Sequence, residues 1–544
     1  MEMIQTVKKM EKEAMKSSGI DFIRLGFALF FMVAVLTYSF LSSGSIPNNV
    51  FLAVAALFGA YMAMNIGAND VANNVGPAVG SKALTMGGAI VIAAIFEASG
   101  AFIAGGDVVK TIKKGIIDID AFGGNVDPFI WAMMAALLSA ALWLNFATMM
   151  KAPVSTTHSI VGGVMGAGIA AAGFTIVSWG TMGKIAASWV ISPVLGGVIA
   201  AAFLFAIKKS IVFQTDKVAA ARKWVPIFVA IMSWAFVTYL TLKGLKKVWP
   251  SIVEVLAFLP DEKKPSFLIA SIFGLMIAVA VYFIVKKTVA NKATNLQNSR
   301  DSINLLFTVP LIFAAALLSF AHGANDVANA IGPLAAINDA VMTGGISAKT
   351  GIPLWVMAVG AIGIAIGLAL YGPKLIKTVG SEITELDQMR AFSVAMAAAI
   401  TVIIASQLGL PVSSTHIAVG GIFGVGFLRE YLATTGRDEI LENKRHDIED
   451  EKKILKAYTN ELKTLEKKEK KTKSDYERIV DLYKDIDAEE EKIKKAKKQI
   501  KIVEKVKYVK RDALKKIIAA WIITVPAAAV LSAAIFFMIR GMLV

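Results

Sequence analysis

The chain has 544 residues, 56% of them apolar and only 18% charged, with 57 Lys and Arg against 41 Asp and Glu for a net charge of +16. Soluble domains carry roughly 25% charged residues, so this composition excludes an ordinary cytosolic enzyme, and the absence of cysteine removes disulfides, thiolate metal sites and thiol catalysis. The basic residues flank apolar segments or alternate with acids, which reads as membrane topology and not as a nucleic-acid surface.

Apolar runs of about 20 residues recur along the chain and predict an all-α polytopic membrane protein, not a barrel of alternating strands. Residues 1–19 set Lys8, Lys9, Lys12 and Lys16 beside Met3, Ile4, Val7 and Met10 at helical spacing, an amphipathic helix expected on the membrane surface. Apolar segments follow at 20–42 and 49–69, and the second runs into Gly67-Ala68-Asn69-Asp70-Val71-Ala72-Asn73. A carboxylate at bilayer depth is costly to bury and marks an ion, proton or substrate path. Asp70, with the side-chain carbonyls of Asn69 and Asn73 and a Gly67 that would let the helix unwind, offers oxygen ligands suited to a hard cation such as sodium. In the next segment Glu97 is a further intramembrane acid, a candidate extra coupling site for one ion or proton.

Beyond the segment at 128–150 comes Pro153-Val154-Ser155-Thr156-Thr157-His158. Proline suits the first helical turn and Ser or Thr the cap, so a half-helix is expected to begin here inside the membrane. Its free N–H groups, its dipole and the hydroxyls of Ser155, Thr156 and Thr157 together suit an anion. His158 is either a local hydrogen-bonding group or a titrating one. The loops after residues 207 and 285 carry Lys208, Lys209, Lys217, Arg222, Lys223 and Lys286, Lys287, Lys292, Arg300, and are expected to be cytoplasmic; the five lysines between 243 and 264 conflict with that orientation.

The motifs then return. Gly323-Ala324-Asn325-Asp326-Val327-Ala328-Asn329 repeats the first motif, and Pro411-Val412-Ser413-Ser414-Thr415-His416 repeats the second, with spacings of 86 and 88 residues between the paired motifs. The chain is a duplicated unit. Asn325, Asp326 and Asn329 are the second cation set, and Ser413, Ser414 and Thr415 the second hydroxyl set. His322 stands where the first copy has Ile66, and approximate alignment puts Gly363 opposite Glu97. By the count of apolar segments seven separate the two copies of the first motif, and an odd number inverts the second copy. Between 431 and 512 lie 24 Lys and Arg and 20 Asp and Glu. Here Leu441, Ile448, Leu455 and Leu462, then Ile479, Ile486, Ile493 and Ile500, recur every seven residues, which predicts a soluble helical hairpin zipped as a coiled coil.

The expected architecture is about 12 transmembrane helices in two inverted-topology repeats, 20–210 and 304–430, with broken or re-entrant half-helices. Connecting helices and loops occupy 211–303, the charged hairpin 431–512 and a final transmembrane helix 513–544. Neither motif contains Lys or Arg, so an anion beside Asp70 and Asp326 is repelled unless cations sit between them. Cation and anion binding must then assist one another, which is the thermodynamic basis of symport.

The paired Gly-Ala-Asn-Asp-Val-Ala-Asn and Pro-Val-Ser-Ser/Thr-Thr-His motifs resemble those of the inorganic phosphate transporter (PiT) family over about residues 49–430 and the last segment. The resemblance implies sodium- or proton-driven uptake of inorganic phosphate across the inner (plasma) membrane. It also implies a homodimer embedded in lipid, no enzymatic activity or catalytic residue, and no cofactor beyond co-transported sodium, with no transition metal. It implies phosphate at Asp70, Asp326 and the two Ser/Thr sets, and sodium at the motif Asn and Asp residues. The rival readings are a proton-coupled phosphate or sulfate permease, an anion channel, and an intramembrane aspartyl hydrolase using Asp70 and Asp326.

Overall fold

The computed structural model describes the backbone of residues 2–543 except 45, 151, 153, 247, 257–259, 261, 347–350, 383–385, 470–471, 506–508 and 510. Side chains are described for the same residues but for 2–20, 114, 378–382, 434–447, 498–499, 501–505, 513–514 and 516–517. Among the described residues the chain is helical, without a strand. In order the helices are α1 (Glu2–Ser43), α2 (Asn49–Asn69), α3 (Val71–Gly80), α4 (Met86–Ala104), α5 (Gly106–Lys114), α6 (Val126–Met149), α7 (Thr156–Ala172), α8 (Trp179–Ile207) and α9 (Lys217–Gly244). They continue as α10 (Trp249–Val255), α11 (Phe267–Ala293), α12 (Arg300–Asn304), α13 (Thr308–Thr343), α14 (Leu354–Glu382), α15 (Gln388–Gln407), α16 (Ser414–Glu466), α17 (Lys473–Lys505) and α18 (Arg511–Leu543).

Among the described residues eleven helices are long and apolar enough to cross a membrane. The 17-residue α7 and the start of α16 are half-helices that begin in the interior, which is why the apolar segments outnumber the spans. α1 runs unbroken from Glu2 to Ser43, so residues 2–19 continue the helix of the first span; the side chains of their expected amphipathic face lie outside the described residues.

The chain divides into two compact units, residues 1–425 with 511–544, and residues 426–510. In the first unit helices of one copy cross helices of the other at glycines. A Cβ on Gly67 in α2 would lie 1.9 Å from the carbonyl oxygen of Ile364 in α14, and one on Gly323 in α13 would lie 2.1 Å from that of Glu97 in α4. The reverse faces match, with Gly367 against Met64 O at 1.9 Å and Gly100 against Phe320 O at 2.0 Å. These contacts correct two expectations. Gly323 does not unwind its helix, since α13 passes straight through it, whereas α2 ends two residues after Gly67; both glycines let backbones touch. The residue equivalent to Glu97 is Ile364, one place beyond the Gly363 of the sequence alignment, because equivalent glycines meet these two carbonyls.

The helices after each half-helix are exchanged in the same way. α8 packs on the start of α16, where Gly420 meets Pro193 O and Gly424 meets Gly197 O; α18 packs on α7, where Gly162 meets Val525 O and Gly166 meets Ala529 O. The Gly-Gly pairs behind each half-helix are thus crossing points between elements far apart in sequence.

The second unit contains the distal part of α16 and all of α17. Of the expected positions Ile448, Leu462 and Ile493 are buried and Leu455, Ile479, Ile486 and Ile500 half-buried, with Leu482 buried between them, while Leu441 falls outside the described side chains. At the turn, Asp475 accepts hydrogen bonds from the Thr472 N–H (2.7 Å), the Thr472 hydroxyl (2.9 Å) and the Lys468 ammonium (2.8 Å). Lys468, then Thr472, lower its carboxyl from 3.8 to about 2. Because the folded value is the depressed one, its contribution to the hairpin is complete above pH ~4 and is lost as pH falls towards 2. An NMR titration should find Asp475 half-protonated near pH 2, and Asp475→Asn should remove the associated loss of helicity; half-protonation near pH 4 would contradict the contact.

Candidate functional site

The second motifs build the frame. Ser155 ends an extended stretch and its hydroxyl accepts from the His158 N–H (3.1 Å); Ser413 does the same for His416 (3.2 Å). Both serines are therefore N-caps, and the residues after them carry the free helix-start N–H groups. Pro153 itself lies outside the described residues. The two starts face each other, for the Thr157 hydroxyl, on α7, donates to the Val412 carbonyl ahead of α16 (2.9 Å).

Asp70 sits between α2 and α3 with no solvent exposure, and both its oxygens are bound. Thr156 of the first copy donates to Oδ2 (2.6 Å) and Thr415 of the second to Oδ1 (2.8 Å). Asp326, also fully buried, accepts from Ser414 (2.9 Å). Asn73 donates to Thr415 (2.9 Å), and Asn329 to Thr156 (3.0 Å) and Thr157 (3.1 Å), so each asparagine of one copy holds hydroxyls of the other. That leaves the two side-chain carbonyl oxygens, Asn73 Oδ1 and Asn329 Oδ1, buried and without a hydrogen-bond partner. A buried carbonyl acceptor supplied with no donor is chemically suited to a cation. Asn69 and Asn325 stand one step outwards. Asn69 donates to Thr148 (2.8 Å) and accepts from the Val154 N–H (3.3 Å), and the Asn325 amide meets the Ser406 hydroxyl at 3.0 Å. Both position the entry to a half-helix.

The two copies differ at one place. His322, one turn before Asp326 on α13, lies 2.8 Å from Asp326 Oδ2 through Nε2 and 2.6 Å from Glu97 Oε2 through Nδ1. Asn74 donates to the other oxygen of Glu97 (2.8 Å). The equivalent pair in the other half is Ile66 and Ile364, fully buried and apolar. His322 thus stands within ion-pair distance of the Asp326 oxygen that accepts from Ser414, whereas Thr156 and Thr415 bind the two separate oxygens of Asp70. One oxygen each of Asp70 and Asp326 and a ring nitrogen of His322 lie within 4.8 Å of one another, so these two carboxylates repel strongly unless positive charge is held between them. The sequence marked Glu97 and left His322 without a role; its signal was the four-residue spacing to Asp326, which places both on one helix face.

His158 and His416 meet edge to face between tryptophans of the exchanged helices, His416 stacking on one and His158 tilted against the other. The ring centroids run Trp189–His158 3.8 Å, His158–His416 4.5 Å and His416–Trp521 3.6 Å, and the Trp189 indole donates to the Pro411 carbonyl (3.1 Å). Both imidazoles act here as packing between the half-helix starts.

Outside the repeats, α9 braces the second copy. The Lys243 ammonium donates to Asp107 of α5 (2.5 Å) and to the Ser406 carbonyl (3.3 Å), the residue whose hydroxyl holds Asn325. Burial would raise the Asp107 carboxyl, but Lys243 and Lys246 outweigh it and hold it below the usual carboxylate range. These two ion pairs also explain part of the lysine-rich loop that conflicted with the charge rule. Breaking a buried pair costs roughly 3–5 kcal/mol; Asp107 keeps Lys246 and some solvent, so Lys243→Met should cost about 1–2 kcal/mol. Thermal unfolding should show Lys243→Met with Asp107→Asn losing less than the sum of the single variants, and full additivity would refute the brace.

A model of the phosphate transporter family matches residues 66–532. The chain belongs to the phosphate transporter family. It is 50% identical over 544 residues to a Helicobacter pylori (strain J99) protein named "Putative phosphate permease", with 98% of each chain covered. It is 39% identical over 381 residues to a protein of the same description from Pyrococcus furiosus, covering 70% of this chain and 87% of the relative. Among solved structures it resembles "The sodium-dependent phosphate transporter", with a TM-score of 0.70 and 30% identity over 91% of this chain and all of that one. As a member of the family it is a multi-pass membrane transporter and not an enzyme, which removes the aspartyl hydrolase reading of Asp70 and Asp326.

Proposed function

We propose that this phosphate transporter takes up inorganic phosphate by symport with sodium, through alternating access of two inverted halves. The observation that carries the reading is the convergence of both carboxylates, both half-helix starts and two donor-free amide carbonyls, Asn73 Oδ1 and Asn329 Oδ1, in one buried cluster. In this reading sodium is held by Asp70, Asp326 and the motif asparagines, with Asn69 and Asn325 acting through the backbone they fix. Phosphate lies over the starts of α7 and α16, on their N–H groups and the hydroxyls of Thr156, Thr157, Ser414 and Thr415, with Ser155 and Ser413 as caps. Sodium cancels the repulsion between anion and carboxylates, so each ligand raises the affinity for the other by the same factor.

The carboxylates also bear on anion choice. A protonated phosphate oxygen can donate to Asp70 or Asp326, whereas sulfate at neutral pH has no proton to give and leaves a repelled, unpaired acceptor. Phosphate is the better-matched oxyanion. A second reading is favoured by one observation, the Glu97–His322–Asp326 chain, which offers a route for coupling a proton in one half only.

Proteoliposomes separate the two. With an inward sodium gradient and no pH gradient, labelled phosphate should accumulate and excess sulfate should not compete. Equal accumulation driven by a pH gradient without sodium overturns sodium coupling, and downhill flux indifferent to both gradients overturns symport.

A further inference from the structure

We propose that the groove between the end of α8 and the start of α9 is a binding site for an anionic phospholipid of the surrounding bilayer. The groove has a volume of about 760 Å3 and lies where the candidate span Trp179–Val212 ends and the candidate span Lys217–Gly244 begins. Ala206, Ala219, Ala220 and Phe228 are its apolar lining, and Lys209 and Lys223 are its cations, with Trp224 next to Lys223 and the polar Ser210 and Gln214 also on the lining. That combination, apolar residues with cations and a tryptophan, matches an acyl chain leading to a phosphate headgroup.

The two cations are available for such a ligand. Neither Lys209 nor Lys223 has a carboxylate partner among the described residues; the Lys223 ammonium lies 5.8 Å from the Trp224 ring centroid. Asp216, also on the lining, caps α9 by accepting from the Ala219 N–H (2.9 Å), so the groove holds two cations against one acid. The walls are fixed before any ligand arrives. A π-helical turn, Lys208–Val212, ends α8, and the Gln214 amide donates to the Lys209 carbonyl (2.8 Å). Asn298 accepts from the Lys217 N–H (2.9 Å) and donates to the Thr215 carbonyl (2.8 Å), tying the groove to the loop before α12. The groove is far larger than one inorganic oxyanion needs. Because α8 is the exchanged helix that packs on α16, a lipid seated here holds the far end of an element that touches the phosphate-site half-helix of the other copy.

The test uses the full chain purified from membranes of phosphatidylethanolamine and phosphatidylglycerol, read by native mass spectrometry. Wild type should retain phosphatidylglycerol in preference to phosphatidylethanolamine. Lys209→Gln with Lys223→Gln should lower that retention by roughly tenfold or more. Ala219→Trp, which fills the groove and keeps both lysines, should lower it as well, so the proposal stays testable if the charge variant fails to fold. Equal retention of the two lipids by wild type, unchanged retention in either folded variant, or loss of phosphatidylglycerol to millimolar inorganic phosphate overturns the proposal. So does cross-linking from Lys209 that finds a second copy of the chain over the groove.

Discussion

Asp70→Asn should reduce sodium-driven phosphate uptake by at least about a hundredfold while leaving the protein folded. The native carboxylate is fully buried and accepts from Thr156 and Thr415, one hydroxyl from each copy. A hydrogen bond to a charged acceptor is worth roughly 1.5–3 kcal/mol, and the amide turns one accepting oxygen into a donor facing a hydroxyl. The hydroxyl can rotate, so the fold tolerates the change, but it then points away from the geometry by which, in the proposed mechanism, both half-helix starts meet the anion and the carboxylate draws sodium. That charge is lost as well. Asp326→Asn should be as inactive by a different route. It keeps the Ser414 contact in part but sets an amide against His322, whose other nitrogen is held by Glu97. Uptake in proteoliposomes, with calorimetric phosphate binding at high and zero sodium, checks both. Sodium-dependent binding retained in the two variants together would remove the carboxylates from the site.

Much of this arrangement was legible because it is written twice. A single Asn-Asp at the end of an apolar run is ambiguous between cap and ligand, whereas identical copies at Asp70 and Asp326 tie the feature to the architecture. The half-helix starts were also local signals, as Ser155 and Ser413 cap the very turns that follow them. What could not be read was anything fixed by a crossing between distant helices. Thr148, Ser406 and Lys243 look like ordinary residues at span ends, and only the packing of α6, α15 and α9 brings them to Asn69, Asn325 and Asp107. The glycines of the first motif were misread for the same reason. A glycine tolerates unwinding and permits close approach equally well, and the sequence around Gly67 does not distinguish them; the Ile364 carbonyl does. The hairpin needed no distant partner for its reading, because its seven-residue period pairs neighbours across a single turn.

The crossing glycines carry the second large expected effect. Gly323→Val and Gly367→Val should each prevent recovery of folded transporter, whereas Gly26→Val and Gly87→Val, whose Cβ atoms meet nothing within 4 Å, should be recovered like wild type. Overpacking a core usually costs roughly 1–3 kcal/mol because side chains yield. Here the obstruction is backbone, the Glu97 carbonyl at 2.1 Å from a Cβ on Gly323 and the Met64 carbonyl at 1.9 Å from one on Gly367. Neither can rotate away without breaking its own helix, so α13 must move off α4, or α14 off α2. The loss should exceed ~4 kcal/mol, much of the 5–15 kcal/mol by which folded proteins are stable. The two lesions also differ in reach. Gly323 lies three residues before Asp326 and faces Glu97, so any separation there opens the His322 bridge as well. Gly367 faces Met64, where the other half has only Ile66 and Ile364 nearby. Fluorescence-detected size exclusion in mild detergent measures recovery. If some folded Gly367→Val can be rescued by added sodium and phosphate, it should regain uptake, while rescued Gly323→Val should not; equal activity of the two would mean that the asymmetric bridge does not contribute to transport.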